Sequence, residues 1–296
     1  MSFKRVVSEK HTPYLLFTVF VACCGGLLFG YFTAVISGAL IFVTPAFHLT
    51  LGEQGVVVSS LLIGCILGAA LGSSFTERLG RKKTIALSSI LFILSGVILV
   101  VCSAYGLLLL GRLVGGVAVG LTSLACPLYI AEISPPRHRG TCVSLYQLAV
   151  TLGILMSFLV DYVLAESGNW RWMFAVGLFP ALIQISCLFF ISETPPWLLR
   201  QGREEKALAI LQKLREGKHW VNQIDVMKSV ASSHRVGTWA MLLSPKLRFV
   251  LLIGLVLSSF QQITGINTVI YYAPKVFEIA GFTSSASALM ATLGVG

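Results

Sequence analysis

Residues 72–83 read Gly72-Ser-Ser-Phe-Thr-Glu77-Arg78-Leu-Gly80-Arg81-Lys82-Lys83. This charged break separates two apolar runs, 55–75 and 84–103, each about the 20 residues a helix needs to cross a bilayer. A basic loop between two spans stays on the cytoplasmic side. Glu77 stands among the cations at a helix end, and a cluster of Glu77, Arg78 and Arg81 can latch neighbouring helices in one conformation and release them in another.

The alternation continues on both sides of this loop. Further apolar runs at 14–40, 107–131, 141–164, 172–191 and 249–272 bring the spans to seven. An eighth begins near residue 285, and the sequence holds only about a dozen residues of it, up to Gly296. The expectation is an amino-terminal fragment or a truncated product. Seven crossings place 19 of the 22 Lys and Arg on one side: Lys4, Arg5, Lys10, the loop at 78–83, Arg137, Arg139 and ten cations between Arg200 and Arg248. The other side holds Arg171 and Lys275, and Arg112 lies within a span. The amino terminus is therefore expected in the cytoplasm, in a plasma or bacterial inner membrane. The net charge of +10 is a consequence of topology and calls for no nucleic acid.

Composition agrees. The chain has 296 residues, 56% of them hydrophobic and only 11% charged, against roughly 25% charged in a soluble domain. Mean hydropathy is +0.85. The lipid bilayer is a partner along most of the chain. No cleavable signal peptide is evident. The seven cysteines lie in apolar segments without a Cys-x-x-Cys pair or clustered His, and read as small hydrophobes; neither metal nor cofactor is expected.

The fold class is all-α membrane protein. Residues 1–191 form a six-span amino-terminal bundle, 192–246 a cytoplasmic helical insert, and 247–296 the first one to two spans of a second bundle. Within the insert, 202–216 is predicted to be a short amphipathic helix with Ala207, Leu208, Leu211 and Leu214 on one face. Gly25, Gly26 and Gly30 in span 1 recur as Gly115, Gly116 and Gly120 in span 4, 90 residues later. Spans 1 and 4 run in opposite directions, so this is what a three-plus-three inverted repeat leaves behind. Gly64, Gly68 and Gly72 at four-residue spacing give span 2 a smooth face for close helix approach.

Function is carried by residues 261–274, Gln261-Gln262-Ile-Thr-Gly-Ile-Asn267-Thr-Val-Ile-Tyr-Tyr272-Ala-Pro. Amides, hydroxyls and tyrosines stand there in place of the Leu and Val of a lipid-facing helix. Uncharged donors and acceptors suit a neutral polyhydroxylated solute such as a sugar; the plainer alternative is interhelical glue. On a straight helix Gln261, Thr264, Thr268 and Tyr272 fall within about 80° of one another. Gln262 and Asn267 fall off that stripe, and a bend near Gly265 would bring Asn267 back.

Two further charged clusters sit at helix ends on the basic side. One is Glu132-Ile-Ser-Pro-Pro-Arg137-His-Arg139-Gly140, the other Ser192-Glu193-Thr-Pro-Pro-Trp197. Glu132, Arg139 and Glu193 are expected to form an ion-pair network there. Such exposed pairs are worth about 0–1 kcal/mol each, which suits a breakable gate better than a structural brace.

With these motifs in hand, the chain resembles the sugar porter family of the major facilitator superfamily. The matching stretches are Gly30-Tyr-Phe-Thr-Ala-Val-Ile-Ser-Gly38, the Arg78-Leu-Gly-Arg-Lys loop, Arg112 with Gly115-Gly116, residues 132–140, Trp170-Arg-Trp-Met-Phe174, Glu193-Thr-Pro and residues 261–274. The pattern is similar to bacterial proton–xylose symporters and to facilitative glucose transporters. The resemblance implies two six-helix bundles with a central sugar site reached alternately from each side. It implies sugar contacts from Gln147, Gln261, Gln262 and Asn267, with Phe29 and Tyr272 against the apolar faces of the sugar. In the proton-coupled members the Arg matching Arg112 faces an Asp on span 1, and this chain has Phe32 at that position. A Phe carries no proton, so facilitated diffusion of a hexose or pentose is expected, with proton–sugar symport as the alternative. Asp161 is read as lying near the outer end of span 5. A non-transporting sugar sensor is the rival from another class. Among the membrane segments there is no metal cluster, Ser–His–Asp set or phosphate loop to favour an enzyme.

Overall fold

The computed structural model describes residues 13–214, 247–282 and 284–294. The cations at Lys4, Arg5 and Lys10, and the insert from 215 to 246, lie outside the described residues. Every described element is a helix.

Seven helical stretches are long and apolar enough to cross a membrane. Span 1 is two helices, α1 (Pro13–Ala34) and α2 (Ile36–Phe47), parted by a turn at Val35. Spans 2 to 5 are single helices: α3 (Leu51–Arg78), α4 (Arg81–Val101), α5 (Tyr105–Ile133) and α6 (Arg139–Leu164). Span 6 is α7 (Trp170–Val176) and α8 (Leu178–Leu188), parted at Gly177. After α9 (Pro195–Arg200) and α10 (Glu204–Leu214), span 7 is α11 (Arg248–Ile263) and α12 (Ile266–Ile279), and α13 covers Ser285–Leu293.

Local chemistry explains several boundaries. The Thr50 hydroxyl and the Glu53 carboxylate cap each other's backbone N–H groups to start α3. Gly80, at φ +97°, makes the tight turn between α3 and α4 that a side chain would oppose. Pro195 and Pro196 occupy the first turn of α9, where a missing N–H costs nothing.

Packing in the six-span bundle is set by glycine. On α1, a Cβ at Gly26 or Gly30 would run into the backbone carbonyls of Tyr146 and Val150 on α6; Gly153 of α6 meets the Leu27 carbonyl in return. On α5, Gly116 and Gly120 lie equally close to the carbonyls of Leu61 and Cys65 on α3. Gly26 and Gly116 are 90 residues apart, as are Gly30 and Gly120. The span 1–span 5 contact therefore corresponds to the span 4–span 2 contact, which is the pairing an internal three-plus-three repeat requires. Gly64 and Gly68 complete the α3–α5 seam, whereas Gly72 has only ordinary contacts.

Two large apolar cores result, with a small third cluster of Trp197, Leu198 and Ala207 joining α9 to α10. One surrounds the break in span 1 and holds Tyr31, Phe32, Ile36, Phe92, Leu99, Trp170 and Phe174. The other lies toward the basic end and holds Val19, Ile85, Tyr129, Ile130, Leu188 and Leu214. The last of these is on α10. The second helix of the insert, α10, thus packs on the bundle through Leu214 and on α9 through Ala207; Leu211 is also buried, and Leu208 only half-buried. All seven cysteines are free thiols.

Candidate functional site

Gly265 decides the shape of the site. At φ +73° it adopts the left-handed conformation and breaks span 7 between α11 and α12. The break lets the Asn267 amide donate to the Gln262 side-chain oxygen at 2.9 Å. Both amides then face a cleft of about 780 Å³ between span 7 and the six-span bundle. Gln147 from α6, Gln261 and Gln262 from α11, Asn267 from α12 and Phe29 from α1 all line it. Thr33, Ser123 and Thr151 add hydroxyls, and no Asp, Glu, Lys or Arg lines the cleft among the described residues. The volume falls in the roughly 300–1,000 Å³ range of small-molecule sites.

One expected contact changes. Tyr271, not Tyr272, lines the cleft; both rings pack on the core around the span 1 break, Tyr271 buried in it and Tyr272 against its edge. The reason is the same left-handed residue. It resets the helical phase, so Ile266, Asn267, Ile270 and Tyr271 become one face, and the stripe through Thr264, Thr268 and Tyr272 does not continue across the break.

Arg112 and Phe32 are both buried, each 1% exposed. Arg112 therefore does not reach for the membrane surface. Its Nη1 donates to the Phe32 carbonyl at 2.9 Å, while Nε and Nη2 have no hydrogen-bond partner. The Phe32 ring packs on Phe92 with centroids 4.8 Å apart. Where a carboxylate would have met the guanidinium, the side chain has joined the core. Asp161 was missed as a buried group. It lies one turn before the end of α6 yet is fully buried, and its Oδ2 accepts from the Gly38 N–H at 3.2 Å. Its position in the sequence does not reveal the facing glycine on span 1 that encloses it.

At the basic end the network forms with a different arginine. Arg81, 2% exposed, binds Glu132 through Nη2 at 2.7 Å and Nε at 3.1 Å, and its Nη1 donates to the Thr76 carbonyl. The Thr194 hydroxyl donates to the other Glu132 oxygen. Glu193 caps the start of α4, accepting from the backbone N–H of Arg81 at 3.0 Å and of Lys82 at 3.1 Å. Burial raises the Glu193 carboxyl above its usual range, and the hydrogen bonds from Lys82, Thr194 and Arg81 oppose that rise. Arg139 is exposed at the start of α6 and stands outside this network, so its predicted place belongs to Arg81. Arg78 and the Glu77 side chain are also exposed. Glu77 takes part only through its carbonyl, which accepts from Trp197 Nε1 at 2.8 Å. The sequence signal for Arg81 is its place directly after Gly80, where the turn aims it back at the bundle.

A family model described as "Sugar (and other) transporter" matches residues 18–296. The chain belongs to this family. A glucose transporter, GlcP, of Staphylococcus epidermidis is 37% identical over 97% of this chain and 64% of its own length. A putative metabolite transport protein, YwtG, of Bacillus subtilis is 41% identical over 94% of this chain and 60% of its own. Among solved structures, the major facilitator superfamily proton:xylose symporter XylE of E. coli, bound to 6-bromo-6-deoxy-D-glucose, superposes with a TM-score of 0.84 at 35% identity, covering 95% of this chain and 66% of that one. The sugar porter resemblance and the major facilitator fold are thus both shown, in a family of transporters, not enzymes. The chain spans about 60% of the length of the curated relatives it matches.

Proposed function

We propose that the protein moves a monosaccharide, a hexose or a pentose, across a plasma or bacterial inner membrane by alternating access. The observation that carries this reading is the convergence of Gln147, Gln261, Gln262 and Asn267 on one cleft whose described lining has no charge. Amide groups exchange with the water around sugar hydroxyls without the desolvation cost of an ion. Phe29 and Tyr271 supply faces for the sugar's apolar C–H surface. The name of GlcP and the sugar derivative bound to XylE support the same substrate class.

The basic end is taken as cytoplasmic, from the distribution of Lys and Arg. Residues 1–191 act as one bundle, 192–246 as an insert on its cytoplasmic face, and 247–296 as the opening of the second bundle. Transport is facilitated diffusion: Phe32 stands where a proton-carrying Asp is expected, and no other acid lines the cleft among the described residues. Proton-coupled symport is the competing outcome, because XylE carries that name.

Counterflow of radiolabelled glucose and xylose into liposomes holding the protein tests transport, and distinguishes it from a sensor that only binds. Gln261→Ala should weaken sugar binding about 5- to 30-fold, the effect of one or two lost hydrogen bonds. An imposed proton gradient tests coupling. Downhill entry only, with no pH-driven accumulation, is expected; uphill accumulation would overturn facilitated diffusion. Phe32→Asp, which places a carboxylate beside Arg112, is the variant expected to gain proton-driven accumulation.

A further inference from the structure

Span 1 is interrupted partway along its length, at Val35. Two backbone bonds still cross the turn, from Val35 N–H to the Tyr31 carbonyl and from Ala39 N–H to the Val35 carbonyl. The groups on either side of it are held by side chains from other spans. Before the turn, the Phe32 carbonyl accepts from Arg112 of span 4 at 2.9 Å. After it, the Gly38 N–H donates to Asp161 of span 5 at 3.2 Å. Polar backbone freed within a bilayer must find such partners, because water is absent.

Both side chains are fully enclosed, and each leaves other polar atoms without partners: Nε and Nη2 of Arg112, Oδ1 of Asp161. Among the described residues the salt bridge is Arg81–Glu132, so the two do not neutralise each other by contact. A buried charge with a single hydrogen bond is expensive. Its retention at a helix break calls for a use that an apolar residue could not supply. Gly38 adds an independent sign: a Cβ there would overlap the Asp161 carboxyl, so helix α2 lies directly on this acid. Tyr31 reinforces the site, its hydroxyl donating to the Met173 carbonyl of span 6.

We propose that Asp161 is a positioning residue that holds the far half of span 1, helix α2, against span 5, while Arg112 holds the near half. The pair makes the break a defined hinge. Releasing the Gly38–Asp161 bond frees α2 to swing without unwinding α1. The proposal rests on alternating access for its purpose, but its geometry can be tested without sugar.

The experiment is amide hydrogen exchange of the peptide spanning 35–43, with the protein in lipid nanodiscs and no sugar present. Asp161→Asn keeps an oxygen for the Gly38 N–H, and Asp161→Leu removes it. Exchange about tenfold faster in Asp161→Leu, with Asp161→Asn within about twofold of the native protein, is expected. Gly38→Ala, which pushes α2 away without altering the acid, should exchange as fast as Asp161→Leu, and decides the matter if the Leu variant fails to fold. Native-like exchange in Asp161→Leu and Gly38→Ala would overturn the proposal. So would Asp161→Asn exchanging as fast as Asp161→Leu, because a merely electrostatic role would then remain. Counterflow adds a second reading: Asp161→Leu should lower turnover with sugar Kd unchanged. Absence of counterflow in the native protein would count against the sugar reading alone and leave the exchange result standing.

Discussion

The basic end of the bundle and its interior are held together in opposite ways. At the basic end, Arg81, Glu132, Glu193 and Thr194 satisfy one another through side chains and helix ends. In the interior, spans meet backbone to backbone through Gly26, Gly30, Gly116 and Gly120. Glycine seams have no reach; they exist at contact distance or not at all. Ion pairs at a helix end can part and be rehydrated. The difference teaches which parts can move: the glycine seams of α1 with α6 and of α3 with α5 are built to stay together, and the basic end is built to latch and release.

The strongest way to break that contrast is at Glu132. Its pair with Arg81 is well enclosed, the two side chains being 3% and 12% exposed. Glu132→Ala strands a buried guanidinium, and an unpaired buried charge costs about 3–5 kcal/mol. The lower end is expected here because Glu132 retains some contact with water. The measurement is thermal unfolding in detergent, together with solvent labelling of a cysteine placed at the basic end. A fall of less than about 1 kcal/mol would make this an ordinary surface pair.

The interior is tested by Gly30→Val and its repeat counterpart Gly120→Val. Each inserts a branched side chain where a backbone already stands, and overpacking of this kind costs about 1–3 kcal/mol. Equal losses at the two positions would sharpen the repeat; a loss at one alone would weaken it. Neither variant should change labelling at the basic end, whereas Glu132→Ala should.

How much of this was legible beforehand follows the same division. The spans and most of the glycine contacts are local patterns, and they read correctly, Gly72 excepted. So did the need for a bend near Gly265, since Gly is the residue that tolerates a left-handed turn. What failed were choices made by packing between helices or by a change of helical phase. Arg81 and Arg139 are both cations at basic helix ends, and only the packing of α4 on α5 selects Arg81 for Glu132. Tyr271 and Tyr272 are identical by composition, and the phase shift at Gly265 selects between them. Asp161 looks terminal until Gly38, 123 residues earlier, closes over it.

The smallest expected effect is in the pH dependence of the latch. Burial raises the Glu193 carboxyl above its ordinary value of 4.5. For an acid with a raised value, the folded state binds the proton more tightly than the unfolded state does. Its contribution is therefore complete below about pH 4.5 and is lost as pH rises through the higher folded value. Against this trend, the N–H groups of Arg81 and Lys82 hold the ionised form in place, so the net slope is shallow. Glu193→Gln, which keeps an oxygen for those N–H groups and cannot ionise, should flatten the slope of unfolding midpoint against pH above 4.5. An unchanged slope would mean that Glu193 is as well solvated in the latch as in the unfolded chain. The ionisation of Glu193 would then play no part in the latch, and the contrast of the basic end with the glycine-sealed interior would rest on the Arg81–Glu132 pair and the bonds around it.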